Sequence, residues 1–219
     1  ENDVIVSVDV ASPGMLPKCF ADLAEKCRLR IDHHGSATSF TPEELVDANS
    51  ASCAELVCDV LAILGVEMDK NIAEAVYVGM STDTGCFRFA NTTAHSFTVA
   101  AVCAKAGADI YGLNQQLFET NSLPKLRMHA WMIENMKLLD DGKLAIVAIP
   151  RAVEELLRVT DDDMDNISSY PRTVAGVRMA ATLRQTKDGE TKISVRAVPG
   201  YDAAAVCAHF GGGGHKGAA

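Results

Sequence analysis

Arg28-Leu29-Arg30-Ile31-Asp32-His33-His34-Gly35 is the stretch on which the reading of this chain turns. Arg28 to Ile31 has the length and content of a short strand, and Asp32-His33-His34 stands where that strand gives way to a loop. A carboxylate and two imidazoles gathered at such a point suit a divalent metal. The chain also closes on Gly211-Gly212-Gly213-Gly214-His215-Lys216-Gly217-Ala218-Ala219. Consecutive glycines bare backbone N–H groups to an anion, His215 and Lys216 add donors, and a helix starting at Ala218 would add its positive end. The two strings together point to metal-dependent chemistry on a phosphate ester.

Strand and helix signals alternate outward from Asp32. Val4-Ile5-Val6-Ser7-Val8 reads as a buried strand that ends at Asp9 and the Ser12-Pro13-Gly14 turn. A helical pattern covers 16–26. Ser52 with Glu55 makes a capping box ahead of an amphipathic helix that stops at Gly65. A helix over 72–81 runs toward Ser81-Thr82-Asp83-Thr84-Gly85, Thr93 caps another that ends at Gly107, and a further one spans 109–119. This alternation predicts a parallel sheet covered on both faces. Past Pro124 one long helix is expected over 124–139 as a connector. A smaller α+β domain then holds a strand from Lys143 to Ile149 and a helix over 151–158. A hairpin turns at Lys187-Asp188-Gly189-Glu190 into Lys192–Val198, and a helix over 202–210 runs into the glycines. The expected division is 1–120, a helical connector at 121–140, and 141–219.

Composition narrows the function classes. Of 219 residues, 48% are hydrophobic, which suffices for a buried core. No apolar run approaches the roughly 20 residues of a membrane span, and the acidic start Glu1-Asn2-Asp3 is unlike a signal peptide. Seven cysteines without a C-x-x-C pair read as reduced core thiols, so a soluble cytoplasmic protein is expected. The net charge of −9 argues against coating long duplex nucleic acid, which needs many Lys/Arg contacts to phosphate. That charge is uneven: residues 1–165 carry 13 basic and 26 acidic side chains, whereas 166–219 carry 7 and 3. An anionic ligand therefore fits the final segment better.

Asp9, Asp32 and Asp83 occupy comparable places, each at a strand end or a helix-to-loop passage. In an open parallel sheet such ends line one crevice, so residues distant in sequence converge there. With His33 and His34 they form a mixed O/N set suited to Mn²⁺ or Mg²⁺, with Zn²⁺ or Co²⁺ as further options. A lone aspartate at a strand end is more often a turn or cap. Asp161-Asp162-Asp163 with Asp165 lacks the glycine and distal Glu of a calcium loop and reads as a solvated loop or cap. His95, His129 and His209 have no partner at ligand spacing, and Trp131 reads as packing.

Asp32-His33-His34 resembles the motif that names the DHH phosphoesterase superfamily, and Gly212-Gly213-Gly214-His215-Lys216-Gly217-Ala218-Ala219 resembles the signature of its associated C-terminal domain. The segment from Thr82 to Thr93 is similar to the stretch carrying the last aspartate ligand in the oligoribonuclease (nanoRNase)/pAp-phosphatase branch. The resemblance covers essentially the whole chain. It implies an α/β fold with a parallel-sheet DHH domain, N-terminally truncated, joined by a helical connector to a smaller α+β domain that grips substrate. Two Mn²⁺ ions are implied, with Mg²⁺ or Co²⁺ as substitutes. Asp9, His33 and Asp83 correspond to metal ligands, and Asp32, His33 and His34 to the catalytic group, His34 standing beside the metals. Arg196, Gly212, Gly213, Gly214 and His215 correspond to phosphate-binding residues, with Arg88 assisting.

The family pattern begins with a strand ending in D-x-D, and no such motif precedes Asp9. Eight residues are far fewer than the roughly 30 of a βαβ unit, so the expectation is a chain lacking its first βα elements. The implied activity is hydrolysis of short oligonucleotides or of 3′-phosphoadenosine 5′-phosphate, and a homodimer is compatible with it. Two rivals stand beside this reading. A cyclic or linear dinucleotide phosphodiesterase would be separated by comparing rates on the two substrate forms. A non-catalytic nucleotide-binding module, favoured by the absent D-x-D, would be separated by the sequence upstream.

Overall fold

The computed structural model describes residues 4–35 and 39–219, so Glu1, Asn2 and Asp3, read above only for their charge, lie outside it. The chain divides into two compact units, Glu1–Thr120 and Asn121–Ala219. The first unit is built on a three-stranded parallel sheet in the order β1 (Ile5–Val8), β2 (Cys27–Asp32), β3 (Glu43–Val46). Pro13–Met15 and Lys18–Lys26 are 3₁₀ turns, where the sequence suggested an ordinary helix. β3 went unread because it is four residues long with two glutamates; pairing with β2 holds it. Arg30 and Glu44 stand opposite each other in that register and form an ion pair at 3.0 Å. Arg30 is 2% exposed, lies over the Phe40 ring and donates to the carbonyl of Ala11.

Four helices complete the unit: α1 (Cys53–Ile63), α2 (Lys70–Asp83), α3 (Ala94–Lys105) and α4 (Ile110–Asn114), the last passing into a π turn at Gln115–Glu119. Their starts follow from side chains that satisfy the orphan first-turn amides. Ser52 accepts from the Glu55 amide, Asp69 from Ile72, and Thr93 with Ser96 makes a reciprocal capping box. The Glu55 carboxylate turns instead to Ser50 Oγ and the Ala51 amide. α1 packs Cys53 and Leu56 on Ile31 of β2, and α2 and α3 close a second cluster through Tyr77, Met80 and Val99.

The second unit has a four-stranded sheet in the order β4 (Lys137–Leu139), β5 (Leu144–Ile149), β6 (Met179–Gln185), β7 (Thr191–Ala197). β5 and β6 are parallel across α6 (Arg151–Leu157); the other pairs are antiparallel, including the expected β6–β7 hairpin. The helix read over 124–139 ends early: α5 spans Leu123–Asn135, and its continuation is β4. α5 buries Met128 and Met132 fully against Val147 and Ile149, so it is a core helix of this unit. Glu154, buried on α6, receives Arg151 and Arg184 and so ties α6 to β6. α7 (Ala203–Ala208), capped by Asp202, covers Val195 and Ala197 of β7.

Candidate metal centre

Asp9 follows β1 directly and Asp32 ends β2, so the parallel pairing of these strands sets the two carboxylates side by side at their C-terminal ends. Asp9 holds φ +60°, a left-handed conformation that Asp tolerates better than most residues, and its amide donates to the Ile31 carbonyl. His33 and His34 follow Asp32 with their rings edge to face, centroids 4.7 Å apart. Asp83, the last residue of α2, completes the group. His33 Nε2 lies 3.6 Å from Asp9 Oδ1 and 3.5 Å from Asp83 Oδ2. Asp9, His33 and His34 each bring a ligand atom within 4.8 Å of the others, the single such group among the described residues.

The tautomers of the two histidines follow from what they touch. His33 Nδ1 stands 3.3 Å from the carbonyl of Ser50, which can only accept, so Nδ1 carries the hydrogen and Nε2 presents a lone pair. In the neutral ring that lone pair faces two carboxylates, an arrangement that is unfavourable unless a proton or a metal cation lies among them. Ligand atoms on one ion at about 2.1 Å lie about 3 Å apart, so spacings of 3.5–3.6 Å need only a small adjustment. The residues present therefore fit a divalent cation. His34 Nδ1 donates to Asp32 Oδ1 at 2.7 Å, leaving its Nε2 as the basic atom.

Asp32 is fully buried. Burial alone would raise its pKa, but hydrogen bonds from His34 and from the His33 and His34 amides outweigh it and hold the carboxyl below its ordinary range. Its other oxygen faces Arg30 at 3.8 Å. Asp83 is shifted the other way, first by burial and then by the charge of Asp9, with His33 opposing. Beside the group lies a mainly apolar cleft of about 290 Å³ lined by Val8, Cys53, Val57, Val76 and Gly79. Burial pushes the Cys53 thiol to about 12; it donates to the Ile31 carbonyl and is no nucleophile.

Arg88 is anchored locally at the end of α2. Its Nε donates to the Gly85 carbonyl at 2.5 Å and its guanidinium lies over Phe118. In the second unit, the glycine string is a folded element. Gly217 and Ala219 pair with Ala197 and Val195, so the chain end extends the sheet beyond β7, and Ala218 forms bridges with Arg196 and His215 in place of a helix start. The amide of Gly212 is committed to the Cys207 carbonyl. Gly213 and Gly214 donate to no other protein group among the described residues. Gly214 has φ +143° and passes so close to Ala219 that a side chain there would collide with it. Arg196 Nη1 donates to the carbonyls of Val195 and Ala219.

No family model matches the chain. Over 216 residues it is 32% identical to the bifunctional oligoribonuclease and PAP phosphatase NrnA of Thermus thermophilus, covering 98% of this chain and 63% of that protein. The Bacillus subtilis protein of the same name is 25% identical over 191 residues, covering 85% and 59%. An exopolyphosphatase-related protein from Bacteroides fragilis superposes with a TM-score of 0.92 at 25% identity, covering 100% of this chain and 65% of that one. Along nearly its whole length the chain is similar to these proteins of the DHH phosphoesterase superfamily. It spans about three fifths of the length of these relatives.

Three supporting residues have roles that the sequence does not display. Ser50 acts through its carbonyl, a group every residue has, so its type carries no signal. Asn91 donates to the carbonyls of Ala51 and Asp83, bridging the loop before α1 to the end of α2. Glu55 was noted as a cap, while its carboxylate braces Ser50. His95 pairs with Asp59, His129 stacks on Tyr170, and His209 meets the Ala205 carbonyl, which gives each a structural role.

Proposed function

We propose that the protein containing this chain is a metal-dependent phosphoesterase that hydrolyses short oligonucleotides and 3′-phosphoadenosine 5′-phosphate. The observation that carries the reading is His33 Nε2 placed between the Asp9 and Asp83 carboxylates, in a chain whose relatives are named for those two activities. Asp9, His33 and Asp83 would hold Mn²⁺, with Mg²⁺ or Co²⁺ as substitutes. These three offer ligands for one cation, with His34 clustered beside Asp9 and His33, and a second ion needs donors beyond them. A bound divalent cation supplies charge neutralisation and acidifies a coordinated water.

The chain's own residues have separable roles. The Ser50 carbonyl fixes the His33 ring so that Nε2 points at the cation position. Asp32 holds the proton at His34 Nδ1 and so leaves His34 Nε2 free to orient a phosphate oxygen or a water. In the second unit the free amides of Gly213 and Gly214, with His215 and Arg196, would grip a substrate phosphate. All seven cysteines are free thiols, which supports a reducing, cytoplasmic setting. The test is incubation of the intact protein with Mn²⁺ and a labelled dinucleotide. The expected result is metal-dependent release of mononucleotide that His33→Ala abolishes; hydrolysis that survives chelation or this substitution refutes the assignment.

A further inference from the structure

The β6–β7 hairpin carries a second polar site. Thr182 pairs with Ser194 and Arg184 with Lys192, so strand alternation sets these four side chains on one face, with Arg196 continuing it opposite Ala180. The turn Asn166–Ser168 stands over that face, and between them lies a cleft of about 160 Å³. Its charges do not cancel. Arg184 is spent on Glu154 and Asp161, and against Lys192 and Arg196 the lining sets one carboxylate, Asp165, whose oxygens accept from Asn166. Lys192 and Arg196 form no ion pair with any carboxylate among the described residues. Thr182 is 3% exposed, and its hydroxyl has no hydrogen-bond partner.

An unpartnered buried hydroxyl costs free energy. A tetrahedral oxyanion would satisfy the Thr182 hydroxyl and balance the charge of Lys192. A single water needs about 10–15 Å³ of such space, so a cleft of about 160 Å³ admits a group the size of a phosphoryl. We propose that this cleft binds a phosphoryl group of a nucleotide ligand through Thr182, Ser194 and Lys192, with Arg196 at its border. The subsite is separate from the glycine loop and is built wholly within the second unit. It extends the nucleotide-binding reading above, but phosphate binding here requires neither metal nor catalysis.

Titration of the metal-free protein with inorganic phosphate, followed by NMR at the Thr182 methyl and the Ser194 and Lys192 amides, tests the proposal. Saturable shifts at these positions are expected. Thr182→Val and Lys192→Gln should each weaken them about tenfold, the equivalent of one lost hydrogen bond to a charged group, while Lys192→Arg retains them. Valine replaces the hydroxyl at nearly the same volume, so the Thr182→Val protein should melt no lower than the parent, and lost binding then reports on the hydroxyl itself. Shifts confined to Gly213–His215, or an affinity unchanged by both substitutions, would overturn the subsite and leave the phosphoesterase assignment standing. Loss of Mn²⁺-dependent hydrolysis in His33→Ala, by contrast, speaks only to that assignment.

Discussion

At the scale of the residue, adjacent histidines of one type acquire different work from one hydrogen bond each. His33 gives its Nδ1 hydrogen to a carbonyl and is left with a lone pair among carboxylates; His34 gives its own to a buried aspartate. Asp32→Asn keeps an acceptor for His34 but removes the buried charge that holds the His34 ring and that faces Arg30. Loss of such an outer-shell carboxylate costs about 10–100-fold in metal affinity or activity. Calorimetric Mn²⁺ titration and steady-state hydrolysis should show that loss, and unchanged values would reduce Asp32 to a structural partner of Arg30. The sequence displayed Asp32, His33 and His34 as a cluster because they are contiguous. It did not display the division of labour, which depends on Ser50 reaching back through a turn closed by Asp47.

At the scale of the element, Asp83 is placed by how α2 ends. Gly85, Cys86 and Phe87 all hold positive φ, between +56° and +63°, three left-handed residues in succession behind the carboxylate. A Cβ on Gly85 would lie 2.5 Å from the Phe89 ring in addition to the left-handed penalty. Gly85→Ala should therefore cost at least about 1–2 kcal/mol and weaken Mn²⁺ binding in parallel, read by urea denaturation and metal titration of one sample. A second element-level expectation concerns pH. The Ser122 hydroxyl, which caps α5, and then the Thr160 amide hold the Asp163 carboxyl below its ordinary range. A depressed folded pKa contributes stability that is present above the unfolded value, about 3.9, and is lost as pH falls below it. Asp163→Asn should be less stable at pH 7 and show a flatter stability profile between pH 5 and 2. Helix starts were legible here because caps are local, as at Ser52 and Thr93. β4 was not, since Lys137-Leu138-Leu139 prolongs the apolar period of α5 and only pairing with β5 makes it a strand.

At the scale of the whole molecule, each of the five buried clusters among the described residues falls inside one unit. The alternating pattern of the first half and the hairpin of the second were readable because periodicity reports which face is buried; which cluster a helix joins was not, because that depends on contacts distant in sequence. α5 shows the difference. Read as a connector, it instead contributes Met128 and Met132, both wholly inaccessible, to the core beneath β5. Cutting a buried methionine to alanine costs about 2–5 kcal/mol, against a typical total stability of about 5–15 kcal/mol for a domain. Met132→Ala should remove a large share of the second unit's stability and none of the first unit's own packing. Native-state hydrogen exchange resolves the two: protection should fall across Ala145–Ile149 of β5 and remain at Val76–Met80 of α2. An equal fall at both would show that the units unfold as one cooperative body, and the separate cores would then share a single stability.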